Sequence, residues 1–436
     1  MIKFKRPPSA CNNIPPDRIL YKVARINPLA IGGIVSTYFM LMSIARSHTL
    51  TNKSSLDRIL FYFHQILLCL TLTYFFFVHM FSFWRFYIFS FRMVYFVEVI
   101  LISLMGLLVF IRHHKTISIF EYMLLPITMV YTYLAYRLYP EAIWYRAGEL
   151  HWIFFGIGLG VMFVRDKIQD WVFWIPLLII AGVISYNYFI LNITAETGVF
   201  LVNRNIYAMI LTALGFLGLV NYAIKNQLNT YPALLMAIVI LLLSSYSMSR
   251  GSFFISGGIV LLVTTLLIIR EFKETIKNWG KRKTRDLISI TAILLVTSAI
   301  IFLTYVLFAQ SRLSSQGFTD QSRIAIYEDF LSFITIKDLI RGFNPSLVVP
   351  QYSHLHSSIL QAIAETGLYA WVMVSIFFVA LIKTIRYRSP IFFFLILLAV
   401  YSLVDHVMLL RYCDILLFPL LVYAIQLKNP GKTDSN

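Results

Sequence analysis

The chain has 436 residues, 59% of them hydrophobic and 13% charged, about half the roughly 25% charge of an ordinary soluble domain. A water-soluble globule is thereby excluded. Lysine and arginine outnumber aspartate and glutamate by 37 to 20, a net charge of +17, but the excess collects in short segments between apolar blocks, as the positive-inside rule describes, and so gives no case for nucleic acid. Cys11, Cys69 and Cys413 form no C-x-x-C pair, so neither a disulfide framework nor a metal cluster is expected.

Residues 1–26 are basic and hold Pro7, Pro8, Pro15 and Pro16 before any apolar run, which reads as a cytoplasmic tail and not as a cleavable signal. Apolar blocks then fall near 28–46, 59–82, 93–111, 119–138, 147–164, 171–190, 205–220, 232–247, 253–269, 287–308, 368–384, 390–407 and 414–427. They approach the ~20 residues needed to cross a bilayer and lack the alternation of an outer-membrane barrel. The expected fold is an all-α polytopic membrane protein of about 12 transmembrane helices with one larger external loop containing short amphipathic helices. Its expected parts are a bundle over 27–309, the loop 310–357, membrane helices over 358–427 and a cytoplasmic tail 428–436.

Orientation follows from 270–285, where Arg270, Lys273, Lys277, Lys281, Arg282, Lys283 and Arg285 stand between two blocks and mark the inside. Counting outward places Lys383–Arg388, Arg165–Lys167, Arg112–Lys115 and Lys428 inside, and 191–204, 248–252, 310–357 and 408–413 on the far side. Carried back to residue 1, the same parity sets the basic N-terminus outside, so one of the first ten blocks is expected not to be a full span. The loop 310–355 balances Arg312, Arg323, Lys337 and Arg341 against Asp320, Glu328, Asp329 and Asp338. Within it Ile324, Tyr327, Leu331 and Ile334 recur at helical spacing, predicting a surface helix capped by Ser322 with that apolar face on the membrane.

Ionisable residues within the blocks, Glu98, Glu121, Glu149, His64 and His79, form no evident pair and are read as structural. Far-side arginines are more informative. Arg204, Arg250, Arg323 and Arg411 stand where the positive-inside rule expects few, and guanidinium groups match the oxygens of phosphates on lipids or lipid-linked substrates. On the same side runs Ser353-His-Leu-His-Ser-Ser-Ile-Leu-Gln-Ala-Ile-Ala-Glu-Thr-Gly-Leu368. Ser358 with Gln361 fits a capping box, setting His356 just before a helix start, where the dipole keeps an imidazole neutral and able to accept a proton. Leu360, Ile363 and Gly367 continue one face, and Gly367 permits close contact.

These features resemble the O-antigen ligase and O-antigen polymerase family of bacterial envelope glycosyltransferases. The ligase signature is His followed by Asn, Ser or Gln, nine residues, and Gly-x-x closed by Gly, Thr or Tyr. His356-Ser357, nine residues and Gly367 match it, while Ala370 departs at the closing position. Arg323 matches the arginine of an Arg-x-x-x-Leu pattern in the external loop, with Tyr327 in place of the leucine; Ser-Arg-Gly at 249–251 and Asn-Arg-Asn at 203–205 are similar to the family. The resemblance spans about 198 to 412. It implies a cell inner membrane protein with both termini inside and its site facing the periplasm. The implied reaction is metal-independent transfer, without a cofactor, of a glycan from undecaprenyl diphosphate to lipid A-core or a growing glycan in lipopolysaccharide biosynthesis. His356 would be the general base, Arg204 and Arg323 the diphosphate ligands, and Arg250 and Arg411 second-tier ligands. Ligase is the leading expectation, repeat-unit polymerase the alternative, and a lipid-linked glycan transporter the alternative from another class.

Overall fold

The computed structural model describes residues 55–81, 91–137, 143–190, 204–246, 250–277, 321–344, 355, 357–404, 407–409 and 413–427. Within the 287–308 block it adds Thr291, Leu295, Ser298 and Phe302, each helical. Side chains at several helix ends, among them Arg204, Arg250 and Arg323, fall outside the described part. Chain contacts divide at Phe61; Ser55–Phe61 is the described portion of the first unit, and everything below concerns Tyr62–Asn436.

Every described element is a helix. In chain order these are α1 (Ser55–Phe81), α2 (Phe91–His113), α3 (Ile119–Tyr136), α4 (Ile143–Arg165), α5 (Trp171–Phe189), α6 (Arg204–Ile224), α7 (Tyr231–Tyr246) and α8 (Arg250–Lys277). There follow α9 (Gln321–Phe333), α10 (Ile336–Arg341), α11 (Ser358–Thr366), a 3₁₀ turn at Gly367–Tyr369, α12 (Ala370–Arg386), α13 (Ile391–Val404) and α14 (Asp414–Gln426). All the expected apolar blocks except 28–46 and 287–308 coincide with one helix each. The first of those two lies outside the described residues. Segments Arg58–Phe77, Phe96–His113, Gly251–Glu274 and Ser358–Arg386 are long and apolar enough to cross a membrane, and the other apolar helices are shorter, at 10–17 residues.

Hydrogen bonds gather the turns into two opposite ends. At one, Arg112 forks onto Asp166 at 2.8 and 3.0 Å, the Gln169 amide reaches Gln65, and Lys225 bonds Asp170 at 2.6 Å. Arg270 donates to the Asn229 carbonyl. Arg165 joins the same end to the α2–α3 turn through Thr116 and Glu121, and Gln426, beside the Ile425 carbonyl that takes Lys383, reaches Ser118. The segments expected inside, 112–115, 165–167, 270 and 383–388, therefore share one end. Helices α1 to α8 alternate in direction between the two.

The tightest seam is α4 against α14. Gly156 and Gly160, one turn apart, let the backbones meet: a Cβ at Gly156 would lie 2.9 Å from the Asp414 carbonyl oxygen, and one at Gly160 2.6 Å from Val422 Cβ. This small-xxx-small spacing is the device by which helices pack closely where lipid supplies no hydrophobic drive.

The loop helix differs from expectation. It starts at Gln321, so Ser322 is its second residue and not its cap. Its packed face is Ile326 and Phe330, both 1% exposed, with Tyr327 and Ile334 at its edge; they cluster with Leu355, Ala364, Leu360 and Phe343. Leu331 is exposed, and the Ile324 side chain lies outside the described residues. Ile326 and Phe330 repeat at the same spacing one step along, and protein rather than bilayer covers them.

Candidate functional site

The opposite end gathers the starts of α6, α8, α11 and α14 with the end of α13. Ser244 on α7 and Ser256 on α8 bond across their hairpin at 2.9 Å, and Ser252 meets the Tyr401 hydroxyl of α13 at 2.8 Å. Gly251 makes room for that ring, since a Cβ there would sit 2.7 Å from Tyr401 Cε2. Antiparallel packing of Gly215 on Ile240 and Gly218 on Met236 sets the α6–α7 register. Continued, it brings Arg204, the first residue of α6, level with Arg250, the first of α8.

Around the signature, the hydrogen-bonding pattern is shifted by one residue from the expected capping box. The α11 cap is Ser357, whose side chain accepts the Leu360 amide at 3.4 Å and donates to the Ser402 carbonyl. Ser358 and Gln361 serve elsewhere. Ser358 Oγ accepts the amides of Val407 and Met408 at 2.9 and 3.2 Å. Gln361 accepts the Leu355 amide at 3.0 Å through Oε1 and donates to Glu365 at 2.8 Å through Nε2. A remote turn claims Ser358, while Gln361 is taken by Leu355 just ahead of the helix and by Glu365 one turn along it.

His356 lies outside the described residues, as does Arg411, but both are bracketed. Leu355 is tied to Gln361, and Ser357 to Ser402. On the other side, the Leu409 amide donates to Asp414 Oδ1 at 2.6 Å and the Cys413 amide to the Val407 carbonyl at 3.0 Å. Ser357, Ser358, Gln361, Glu365, Ser402 and Asp414 are all at most 2% exposed; buried polar groups in such numbers are sustained only when hydrogen-bonded. Arg323, third residue of α9, joins the group through its helix, because Ile326 and Phe330 pack on Leu355 and Tyr327 donates to the Leu403 carbonyl. The backbone therefore brings the helices bearing Arg204, Arg250 and Arg323 to the end where the described neighbours of His356 and Arg411 are anchored.

Gly367 has a sharper role than helix contact. Its φ is +60°, and a Cβ would stand 2.3 Å from the Ile340 carbonyl oxygen; Gly342, at φ +74°, meets the Glu365 carbonyl in return. The loop helix α10 is thus seated on the C-terminal end of α11, and Gly367 is the residue that admits it.

Helix starts and the ends of neighbouring antiparallel helices share this end, so their opposite partial charges largely offset one another. The opposite end pairs its bases: Arg112 with Asp166, Arg165 with Glu121, Lys225 with Asp170, Arg270 with Glu271. Glu121 and His64, expected to lack pairs, belong to that network, with Arg112 donating to His64 Nδ1 at 2.8 Å; the side chains of Glu149 and His79 lie outside the described residues. Among the described residues no three His, Cys, Asp or Glu side chains converge as a metal site requires. Sequence reasoning gave Ser358 only a capping role and passed over Tyr401 and Asp414. Only Asp414 carried a signal, an acid opening an otherwise apolar block. No family model matches the chain, and no curated protein matches it.

Proposed function

We propose that the chain is a glycosyltransferase of the O-antigen ligase type, a multi-pass protein of a bacterial inner membrane with about 12 spans and its reactive end towards the periplasm. The donor is a glycan on undecaprenyl diphosphate, and the acceptor is a hydroxyl of lipid A-core. As the acceptor oxygen attacks the anomeric carbon, His356 takes its proton, a contribution worth ~10²–10⁴-fold in rate. The bond from that carbon to the diphosphate oxygen breaks, and undecaprenyl diphosphate leaves with the electron pair. Arg204 and Arg323 stabilise the charge it gains, with Arg250 and Arg411 beside them. The reaction needs no metal and no cofactor.

The observation that carries this reading is the joint placement of the signature helix α11 with the arginine-led starts of α6 and α8 at one end. Two features favour repeat-unit polymerisation as the second reading: an external loop of under fifty residues, and Ala370 at the closing position of the signature. Envelope polysaccharide from a deletion strain separates them. Core without polymer, together with lipid-linked polymer, is expected for ligase; core bearing a single repeat identifies a polymerase; lipid-linked repeat units confined to the cytoplasmic face identify a transporter. Complementation with His356→Ala should give no glycan transfer at wild-type membrane levels, and full activity of that variant removes the base. With purified protein and donor, a chelator is expected to leave the rate unchanged, and loss restored by a divalent ion contradicts the metal-free route.

A further inference from the structure

Helix α10 is seated through its backbone. Gly342 and Gly367, both at positive φ, bring the chain against the Glu365 and Ile340 carbonyls, and the Phe343 amide donates to the Ala364 carbonyl at 2.6 Å. Arg137, closing α3 at the end opposite the paired bases, donates to the Arg341 carbonyl. No residue of α10 is buried. Ile336, Leu339 and Ile340, spaced i, i+3 and i+4, share one face of the helix, and they are 77%, 39% and 55% exposed. Leu331 and Phe333, at the close of α9, are exposed as well. Two glycines and three backbone contacts thus fix a helix whose apolar face the protein leaves uncovered, and a concentration of exposed apolar side chains marks an interaction surface.

We propose that this face is an interfacial anchor, sunk into the boundary between headgroups and acyl chains of the membrane the protein crosses. Its neighbours argue for lipid as the occupant. The Ile340 carbonyl abuts Gly367, and Leu368 and Trp371, next along the chain, are exposed at the head of the apolar block 368–384, within a segment long and apolar enough to cross a membrane. On the other flank Arg137 holds Arg341, and Tyr133, one turn earlier on the apolar helix α3, is exposed. The face of α10 therefore adjoins surfaces that lipid covers in a bilayer, and tryptophan and tyrosine are the residues that gather at its rim. Lys337 and Arg341 are exposed along one edge of the face, where interfacial helices set cations against headgroup phosphates. Asp338 projects from the opposite side and closes the cap with Thr335. The membrane contact that the sequence suggested for α9 thus falls to α10. The proposal needs the membrane reading and not glycosyl transfer.

The test uses the full chain in phospholipid nanodiscs. Cys69 and Cys413 are buried, so with Cys11 replaced by serine a spin label can be placed singly at Ile336→Cys, Ile340→Cys or Lys337→Cys. Collisions with oxygen, which concentrates in lipid, are compared with collisions with a nickel chelate, which stays in water. Labels at 336 and 340 should favour oxygen, and the ratio should fall severalfold at 337 on the polar flank. Preference for the chelate at all three positions leaves the face in water and overturns the proposal. Low rates with both reagents at 336 and 340 mean that protein covers the face, a second copy or a part of this chain outside the described residues, and overturn it too. If either labelled variant is not recovered, Leu339→Cys reports on the same face with the same expectation. No readout involves glycan, so a failed transfer reaction leaves the anchor standing, and a label in water leaves the transfer reading standing.

Discussion

Asp166 bears more of the basic end than any neighbouring side chain. Just beyond α4, it accepts both arms of Arg112 and the Nε2 of His113, with His64 Nδ1 4.0 Å away. Burial pushes its carboxyl upward, but the His113 hydrogen bond and the charges of Arg112, His113 and His64 outweigh that and hold it below its ordinary value. A carboxylate with a depressed native value contributes stability above its unfolded value, near pH 4, and loses it as pH falls through the native value. Wild-type thermal stability should accordingly decline below about pH 4. Asp166→Asn strands Arg112 without its counter-ion and should cost about 3 kcal/mol near neutrality, with a flatter acid limb; melting of the purified protein across pH checks both, and an unshifted curve removes Asp166 from the account. At the other end, Arg204→Ala and Arg323→Ala should each raise donor KM at least about tenfold, the worth of one charged hydrogen bond. Steady-state kinetics with purified donor decide it, and unaltered constants would dissolve the anion site.

At the scale of elements, α4 and α14 offer a controlled comparison. Gly160→Ala would press a methyl to 2.6 Å from Val422 Cβ and 3.0 Å from Pro419 Cα, so part of α14 must shift, whereas a Cβ at Gly158 on the same helix meets nothing within 4 Å. The first substitution should destabilise by about 1–3 kcal/mol, and the second should be neutral or stabilise by up to about 1 kcal/mol. Equal effects on melting would mean that the seam is not close-packed. This seam was legible as Gly-x-x-x-Gly yet went unread, because hydropathy finds where helices run and not which faces meet. Helix existence was readable throughout: α1 to α8 and α12 to α14 all lie under apolar blocks. What failed was local inference about groups with distant partners. Ser358 fitted a capping box until Val407 and Met408, 49 and 50 residues on, claimed it, and Glu121 lacked a visible partner because Arg165 lies 44 residues away. The apolar face of α9 was misjudged for a related reason, since its cover, Ala364 on α11 and Leu355 just ahead of that helix, lies further along the chain.

For the whole molecule, the decisive property is that its two ends differ in kind. One end neutralises its bases with acids, mostly across turns remote in sequence; the other has arginines at the head of α6 and α8. Charge counting alone gave the same partition, since the segments it assigned to the inside are those that hydrogen bonds tie together. If that partition records insertion, the basic end faces the cytoplasm and the arginine end faces out, where polyprenyl-linked glycans are consumed. Lys115 in the α2–α3 turn and Lys337 on α10 are both exposed at opposite ends, and Cys69 and Cys413 are buried, so with Cys11 replaced by serine each site can carry a reporter thiol. Lys337→Cys should react with a membrane-impermeant maleimide on intact spheroplasts, and Lys115→Cys only after permeabilisation. The reverse pattern would turn the His356 end to the cytoplasm, away from the acceptor, and no arrangement of its arginines could then rescue the proposed transfer.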